Sequence, residues 1–355
     1  MVVYSVLINY AIIIIPTAAV TFLLTVVYER ARNYLKNKRE KRKRSDMENK
    51  NNLTKLNNLM KPIMILQPCK LSEKGSFSIR LDETQTASER VSEIIAKYSK
   101  KWSEELGYYN NYIFGATHID SYRLGEKEEI FISIRGRRAG YFEFLATNAN
   151  VTLRKDLDSN DDAWIRSKIL NYDPFYPIPE FANPLSVEVL LLCENETKAV
   201  MSMRSEKTVF RGGKVGPSVM ETVSPDLEEK TILKAEINIF GVIRRGLKEE
   251  LGIDSDEVEQ VYLTSLAFDS EVLDYKFTAV AITPLTQKEI ENRFNLGFSK
   301  DRWENRKINF IDYPPRILDV EKIKNEWLPE AIAAMIMAMA ESEGWKKLEK
   351  VISIK

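Results

Sequence analysis

From Val2 to Val27 the chain carries no charged residue, and the run includes Ile12, Ile13, Ile14 and Ile15, then Val20, Phe22, Leu23, Leu24, Val26 and Val27. In an apolar stretch of this kind the backbone polar groups must satisfy one another, and a helix does so within a single segment. At about 1.5 Å of rise per residue the run covers a bilayer core of about 30 Å. The expectation is a transmembrane helix over residues 1–28. The rival is a cleaved signal peptide, which needs a positive segment before the apolar run and small residues after it, whereas this run ends in Tyr28-Glu29-Arg30. Asn9 and Tyr10 are the groups through which such a helix would meet a neighbouring helix, a route to an oligomer.

Arg30, Arg32, Lys36, Lys38, Arg39, Lys41, Arg42, Lys43 and Arg44 follow directly, opposed only by Glu29 and Glu40. Positive charge collects on the cytoplasmic side of a span, so a single-pass protein is expected, with its N-terminus outside and its bulk cytoplasmic. Residues 2–44 would then meet the lipid bilayer and its anionic head groups, each basic residue contributing about 1 kcal/mol near the surface. The whole chain is neutral, so the remainder is mildly acidic, and no nucleic-acid partner is expected. Residues 29–61 read as this basic segment plus a polar, asparagine-rich tether.

The rest of the 355 residues has globular composition, 44% hydrophobic and 29% charged. His118 is the one histidine, and Cys69 and Cys193 lie far apart, which excludes zinc clusters, disulfide frameworks and histidine-based triads as explanations. Acid–base or metal chemistry must fall to carboxylates, lysines or tyrosines.

Residues 62–182 read as an α+β extension. Thr86 to Leu106 has Val91, Ile94, Ile95, Tyr98 and Trp102 at helical spacing, with Thr86 or Ser88 as cap and Gly107 as stop. Glu128 to Ile134 reads as a strand. Arg135, Arg137 and Arg138 around Gly136 then read as a basic turn, either a phosphate grip or a solvated surface, after which Tyr141 to Asn148 continues the apolar pattern. Asp156 to Asp162 reads as an acidic loop.

From Pro184 strands come close together. Leu185 to Leu192 and Ala199 to Arg204 form a hairpin around Glu194-Asn195-Glu196, and Gly212 to Gly216 is a glycine-rich loop before a short strand, Ser218 to Val223. Val258 to Phe268 and Tyr275 to Ile282 are two more strands. Ala331 to Glu341 is an alanine- and methionine-rich helix packed on two sides, and Trp345 to Ile352 a last helix.

Between these strands lies Arg244-Arg245-Gly246-Leu247-Lys248-Glu249-Glu250-Leu251-Gly252-Ile253. As a helix ending at Gly252 it puts Ile243, Leu247 and Leu251 on one apolar face, with Arg245 one turn from Glu249 and Glu250 alongside. Carboxylates oriented by an arginine can hold a hard cation against a phosphate. The run resembles the second half of the Nudix box, R-E-U-x-E-E-x-G-U with U apolar. Arg245, Leu247, Glu249, Glu250, Gly252 and Ile253 fill six of its seven defined places. The seventh is Gly246, where the family has its first metal-binding glutamate. Thr231 and Ile237 stand where the first half of the box has glycine and glutamate, and Ser224 to Asn238 intervene between the glycine loop and the helix.

The resemblance to the Nudix hydrolase superfamily implies an α+β fold, a Nudix-like α/β/α sandwich with a mixed sheet over residues 183–355, behind the transmembrane helix. It implies Glu249, Glu250 and Arg245 as catalytic residues. It also implies Mg2+ or Mn2+ on Glu249 and Glu250, with Glu221 or Glu271 replacing the carboxylate missing at Gly246. The implied activity is cleavage of a phosphoanhydride in a nucleoside diphosphate derivative, with a nucleotide-type small molecule as partner. The alternative is a catalytically degenerate Nudix-like nucleotide sensor or scaffold at the membrane.

Overall fold

The computed structural model describes residues 57, 60–73, 77–82, 86–124, 129–151, 157–170, 172–206, 211–228, 236–296, 304–319 and 323–353. The chain divides between Leu56 and Asn57 into two units, and the described residues belong to the second. The expected transmembrane helix, the basic cluster and most of the tether lie outside them. Among the described residues no helix is long and apolar enough to cross a membrane.

In chain order the elements are β1 (Ile63–Ser72), β2 (Phe77–Leu81), α1 (Glu89–Lys100), β3 (Tyr112–Leu124), β4 (Glu129–Gly140), α2 (Tyr141–Ala146), α3 (Ser159–Ile169), β5 (Leu185–Cys193) and β6 (Lys198–Arg204). Then come β7 (Val215–Gly216), β8 (Val219–Thr222), α4 (Pro225–Glu228), α5 (Ile239–Leu251), β9 (Gln260–Asp269), β10 (Asp274–Ile282), α6 (Gln287–Leu296), β11 (Asn305–Asp312), β12 (Leu318–Asp319), α7 (Pro329–Glu343), α8 (Trp345–Val351) and β13 (Ile352–Ser353). The class is α+β with mixed sheets.

LSVEVLLLC and DYKFTAVAI are buried at every position, the signature of strands covered on both faces. They form the centre of the main sheet, pairing in parallel from Leu185 with Tyr275 to Leu192 with Ile282. The order is β1-β9-β10-β5-β6-β11, with β8 also on β5 and β7 on β6, and the other pairings are antiparallel. The expected hairpin β5–β6 is present, its turn residues Glu194, Asn195 and Glu196 all at positive φ. Alternation along β5 sends Val187, Val189 and Leu191 into one core with Ile243, Leu247 and Leu251 of α5. Each such fully buried aliphatic side chain contributes roughly 1.5–3 kcal/mol. Glu188 points the other way, into a charged group that includes Glu330 at the start of α7. α7 itself is buried from Glu330 to Ala340, methionines 335, 337 and 339 included, as two-sided packing requires.

The second sheet, β2-β4-β3, carries α1 and α2, whose Val91, Ile94, Phe142 and Leu145 share a smaller core with Trp102 just beyond α1. It joins the main sheet through β3: the Phe114 N–H donates to the Val223 carbonyl and the Ala116 N–H to that of Asn183, both at 2.8 Å. Gly115 lies between them, and a Cβ there would stand 2.3 Å from the Ala182 oxygen, so only glycine permits the approach. β1 adds a further link, because a strand from the extension pairs with β9.

Four expectations are corrected in this region. β4 runs on through Arg135–Arg138 instead of turning there, because β3 pairs with it as far as Gly140. Arg137 is buried on the Glu143 carboxylate at 2.7 Å, and Arg138 pairs with Asp226, so these arginines do not form an open phosphate grip. Tyr141 to Ala146 is a helix and no strand, since Glu143 reaches back to the Gly140 N–H at 2.8 Å and Asn110 accepts from that of Phe142. Asp158 in the acidic stretch is the N-cap of α3, accepting from Asn160 and Asp161. Of the two expected caps, Thr86 and Ser88, it is Ser88 that starts the helix, which ends in a π-helical turn, Lys101–Glu105, ahead of Gly107 at φ 71°.

Candidate functional site

α5 begins and ends on local chemistry. The Asn238 side chain accepts from the N–H groups of Phe240 and Gly241 at 3.2 Å, two donors that the first turn leaves without helical partners. At the other end Gly252 takes φ 71°, letting its N–H reach the Lys248 carbonyl and that of Ile253 the Leu247 carbonyl. The helix therefore stops at Gly252, as its sequence leads one to expect. Its apolar face is the expected one, with Ile243, Leu247 and Leu251 fully buried.

The row Val242, Gly246, Glu250 is buried as well, against β8. A Cβ on Gly246 would lie 2.6 Å from Cγ1 of Val219, 3.4 Å from Cβ of Glu221 and 3.6 Å from Oε2 of Glu221. The space that a side chain at position 246 would need is thus filled by the neighbouring strand. Glycine at 246 is what lets β8 lie this close to α5.

Glu250 closes the same contact. Its Oε1 accepts from the Met220 N–H on β8 at 3.0 Å and its Oε2 from Nδ2 of Asn305 on β11 at 2.7 Å. It is 3% exposed. Burial first, then the neighbouring charges of Glu221 and Glu304, push its pKa well above the ordinary carboxyl value, against the pull of the two donors. Arg245 lies at the rim, its Nη1 3.0 Å from Oε1 of Glu221 and 3.1 Å from Oε2 of Glu249. The pKa of Glu221 rises to about 7: burial drives it up, Arg245 opposes, and Glu249 and Glu304 add to the rise.

No family model matches this chain, and no curated protein does. The site is therefore read from its own geometry.

Four of the expected residues, Glu221, Arg245, Glu249 and Glu250, come together on α5 and β8. Glu271 does not join them. It stands at the turn between β9 and β10, its Oε2 2.5 Å from Nη2 of Arg211, with Arg211 also holding Asp269 and Glu330. Arg204, Glu304 and Asn305 belong to the surroundings of Glu250 and were not foreseen. They come from β6 and the start of β11, strands whose local sequence carries no motif and which reach α5 through sheet register alone.

The donor set does not fit a divalent ion. Both oxygens of Glu250 are taken by donors, the Arg245 guanidinium occupies the space between Glu221 and Glu249, and the Gly246 slot is filled. Among the described residues no three His, Cys, Asp or Glu are grouped as metal ligands. A hard cation needs several oxygens converging on one point, with open positions for substrate and water. Here the carboxylates converge on an arginine, a backbone amide and an asparagine.

Proposed function

We propose that the chain is a catalytically degenerate member of the Nudix-like sandwiches, a membrane-attached module that senses a nucleotide or serves as a scaffold instead of hydrolysing. The observation that carries this reading is Glu250, a carboxylate in the right place on the right helix whose two oxygens serve as internal acceptors tying α5 to β8 and β11. The arrangement of elements supports the sandwich: a mixed sheet with α5 packed on one face and α7 meeting the charged group on the other. Membrane attachment rests on the uncharged run Val2–Val27 and the basic cluster after it.

A second reading, the metal-dependent hydrolase, has one observation in its favour. The Glu221 carboxylate lies against Gly246 and next to Arg245, so it is a carboxylate close to the position at which the Nudix box has its first glutamate.

The test uses the full chain in detergent or nanodiscs, incubated with Mg2+ or Mn2+ and a panel of nucleoside diphosphate sugars, dinucleotides and nucleoside triphosphates. Degeneracy predicts no product beyond that made by the Glu249→Gln variant. Metal-dependent turnover that disappears in Glu249→Gln and Glu221→Gln would overturn it and establish the hydrolase. A rise in Tm with one of these nucleotides, without turnover, marks a sensor; no shift with any marks a scaffold.

A further inference from the structure

Beneath the start of α7, on the opposite side of β5 from α5, is a group of charges that the α5 site does not use. Lys276 on β10 sits between carboxylates: its Nζ is 2.6 Å from Oδ2 of Asp274, 3.2 Å from Oε1 of Glu188 and 3.9 Å from Oε1 of Glu330. Arg211 bridges Oε1 of Glu330 at 2.6 Å to Oδ2 of Asp269 at 3.1 Å, and Glu271 closes its outer side. Glu188, Asp269, Asp274, Glu330 and Lys276 are each at most 9% exposed. These four buried carboxyl groups face two cations, Lys276 and Arg211. Among the described residues, Glu188 Oε2, Asp274 Oδ1 and Glu330 Oε2 have no hydrogen-bond partner.

A buried carboxylate oxygen without a donor is costly, and a net excess of buried negative charge more so. Among the described residues the group is short of positive charge. A metal ion does not supply it, because the Lys276 ammonium occupies the centre on which the carboxylates converge, and no three of them are grouped as ligands. A proton needs no such space, and Glu188 is the residue best placed to carry it. Across β10 it faces Lys276 and Asp274, α7 sets Glu330 over it, β8 places Met220 opposite it in register, and Asp269, Arg211 and Glu271 complete the group beyond.

We propose that a proton held on Glu188 clamps the first turn of α7 to the sheet, and that opening of this turn releases the proton, making the seating of α7 sensitive to pH.

Burial raises the pKa of Glu188 to about 8, with Lys276 opposing and Glu330 and Asp274 adding to the rise. Asp274 rises to about 6, again through burial first. Burial works against the Lys276 ammonium, but Asp274, Glu188 and Glu330 outweigh it and keep it charged. A carboxyl group raised in the closed state binds a proton that the opened state gives up. The clamp is therefore complete below the ordinary value of 4.5, weakens as pH rises, and has no more to lose once pH passes about 8.

The experiment is amide hydrogen exchange on the full chain, corrected for intrinsic rates. It follows the N–H groups of Ala331 and Ile332, which donate to the Leu328 carbonyl in the first turn of α7. Their protection is expected to fall by up to about tenfold per pH unit between about pH 5 and 8 and then level off. Glu188→Gln, which keeps an acceptor for Lys276, should flatten this dependence. If that variant does not fold, Glu330→Gln provides the second arm: with one neighbouring negative charge gone, the levelling-off should move to lower pH. A flat profile in the wild type overturns the proposal, as does a variant profile identical to it. Restoration of protection at alkaline pH by Na+, K+, Mg2+ or Ca2+ would also overturn it, by showing that a metal cation supplies the missing charge.

Discussion

At Gly246 two demands oppose each other. A glycine inside a helix costs about 1 kcal/mol relative to alanine, so local preference favours replacing it. The contact with β8 forbids the replacement, because the added Cβ would sit 2.6 Å from Cγ1 of the fully buried Val219. Packing wins, since a β-branched core side chain cannot give way cheaply. Gly246→Ala is expected to lower stability by about 1–2 kcal/mol net, and Gly246→Glu, the residue of the Nudix box, by more, both measured by denaturant unfolding. A stabilised Gly246→Glu protein would mean that β8 does not lie against the helix. Glu250 gives the complementary pair of substitutions. Glu250→Ala leaves the Met220 N–H and the Asn305 amide without acceptors, at a cost of about 1–3 kcal/mol. Glu250→Gln should cost much less, because the unpartnered Oδ1 of Asn305 can accept from the new amide once the Asn305 side chain turns over. Equal losses for the two variants would argue against an acceptor role.

At the scale of elements, α5 was legible because everything that defines it is local. Its apolar residues recur every four positions, and its stop at Gly252 is written in the chain. The cap at Asn238 has the same character, and Asn238→Ala should cost about 1 kcal/mol, read as a lowered Tm with unchanged far-UV spectrum. β1 shows the opposite case. Its register with β9 shifts between Ile65 and Gln67 and again between Pro68 and Leu71, so alternation in IMILQPCKLS is broken and Pro68 reads as a breaker. β11, an edge strand with polar residues along it, carried no signal either. Its invisibility hid Asn305, and with it half of the environment of Glu250. The acids on α5 and β8 were readable, whereas Asn305, which donates to Glu250, arrives through sheet pairing. α2 was misread for a similar reason, because the Asn110 acceptor that starts it lies on the far side of β3 and β4.

At the scale of the molecule, several polar links join the second sheet to the rest of the fold, and the buried ones weigh most. Arg137 ties β4 to Glu143 and to the Phe181 carbonyl that precedes β5. Arg137→Ala leaves the Glu143 carboxylate buried without its partner, and a loss of about 3–5 kcal/mol is expected in chemical denaturation. If the second sheet unfolds on its own, the same variant should show two transitions where the wild type shows one. A loss under about 0.5 kcal/mol would mean the pair is not part of what holds the sheets together.

The pairing of β1 with β9 also sets an order of events at the ribosome. β1 is complete at Ser72, but its partner strand begins at Gln260. At roughly 5–20 residues per second the nascent chain carries β1 for about 10–40 s before β9 is made. Throughout that interval an apolar strand edge waits unpaired, open to chaperones and to other chains. The second sheet, made from residues close in sequence, can form in the meantime, so β2, β3 and β4 can pair while β1 still waits for its partner.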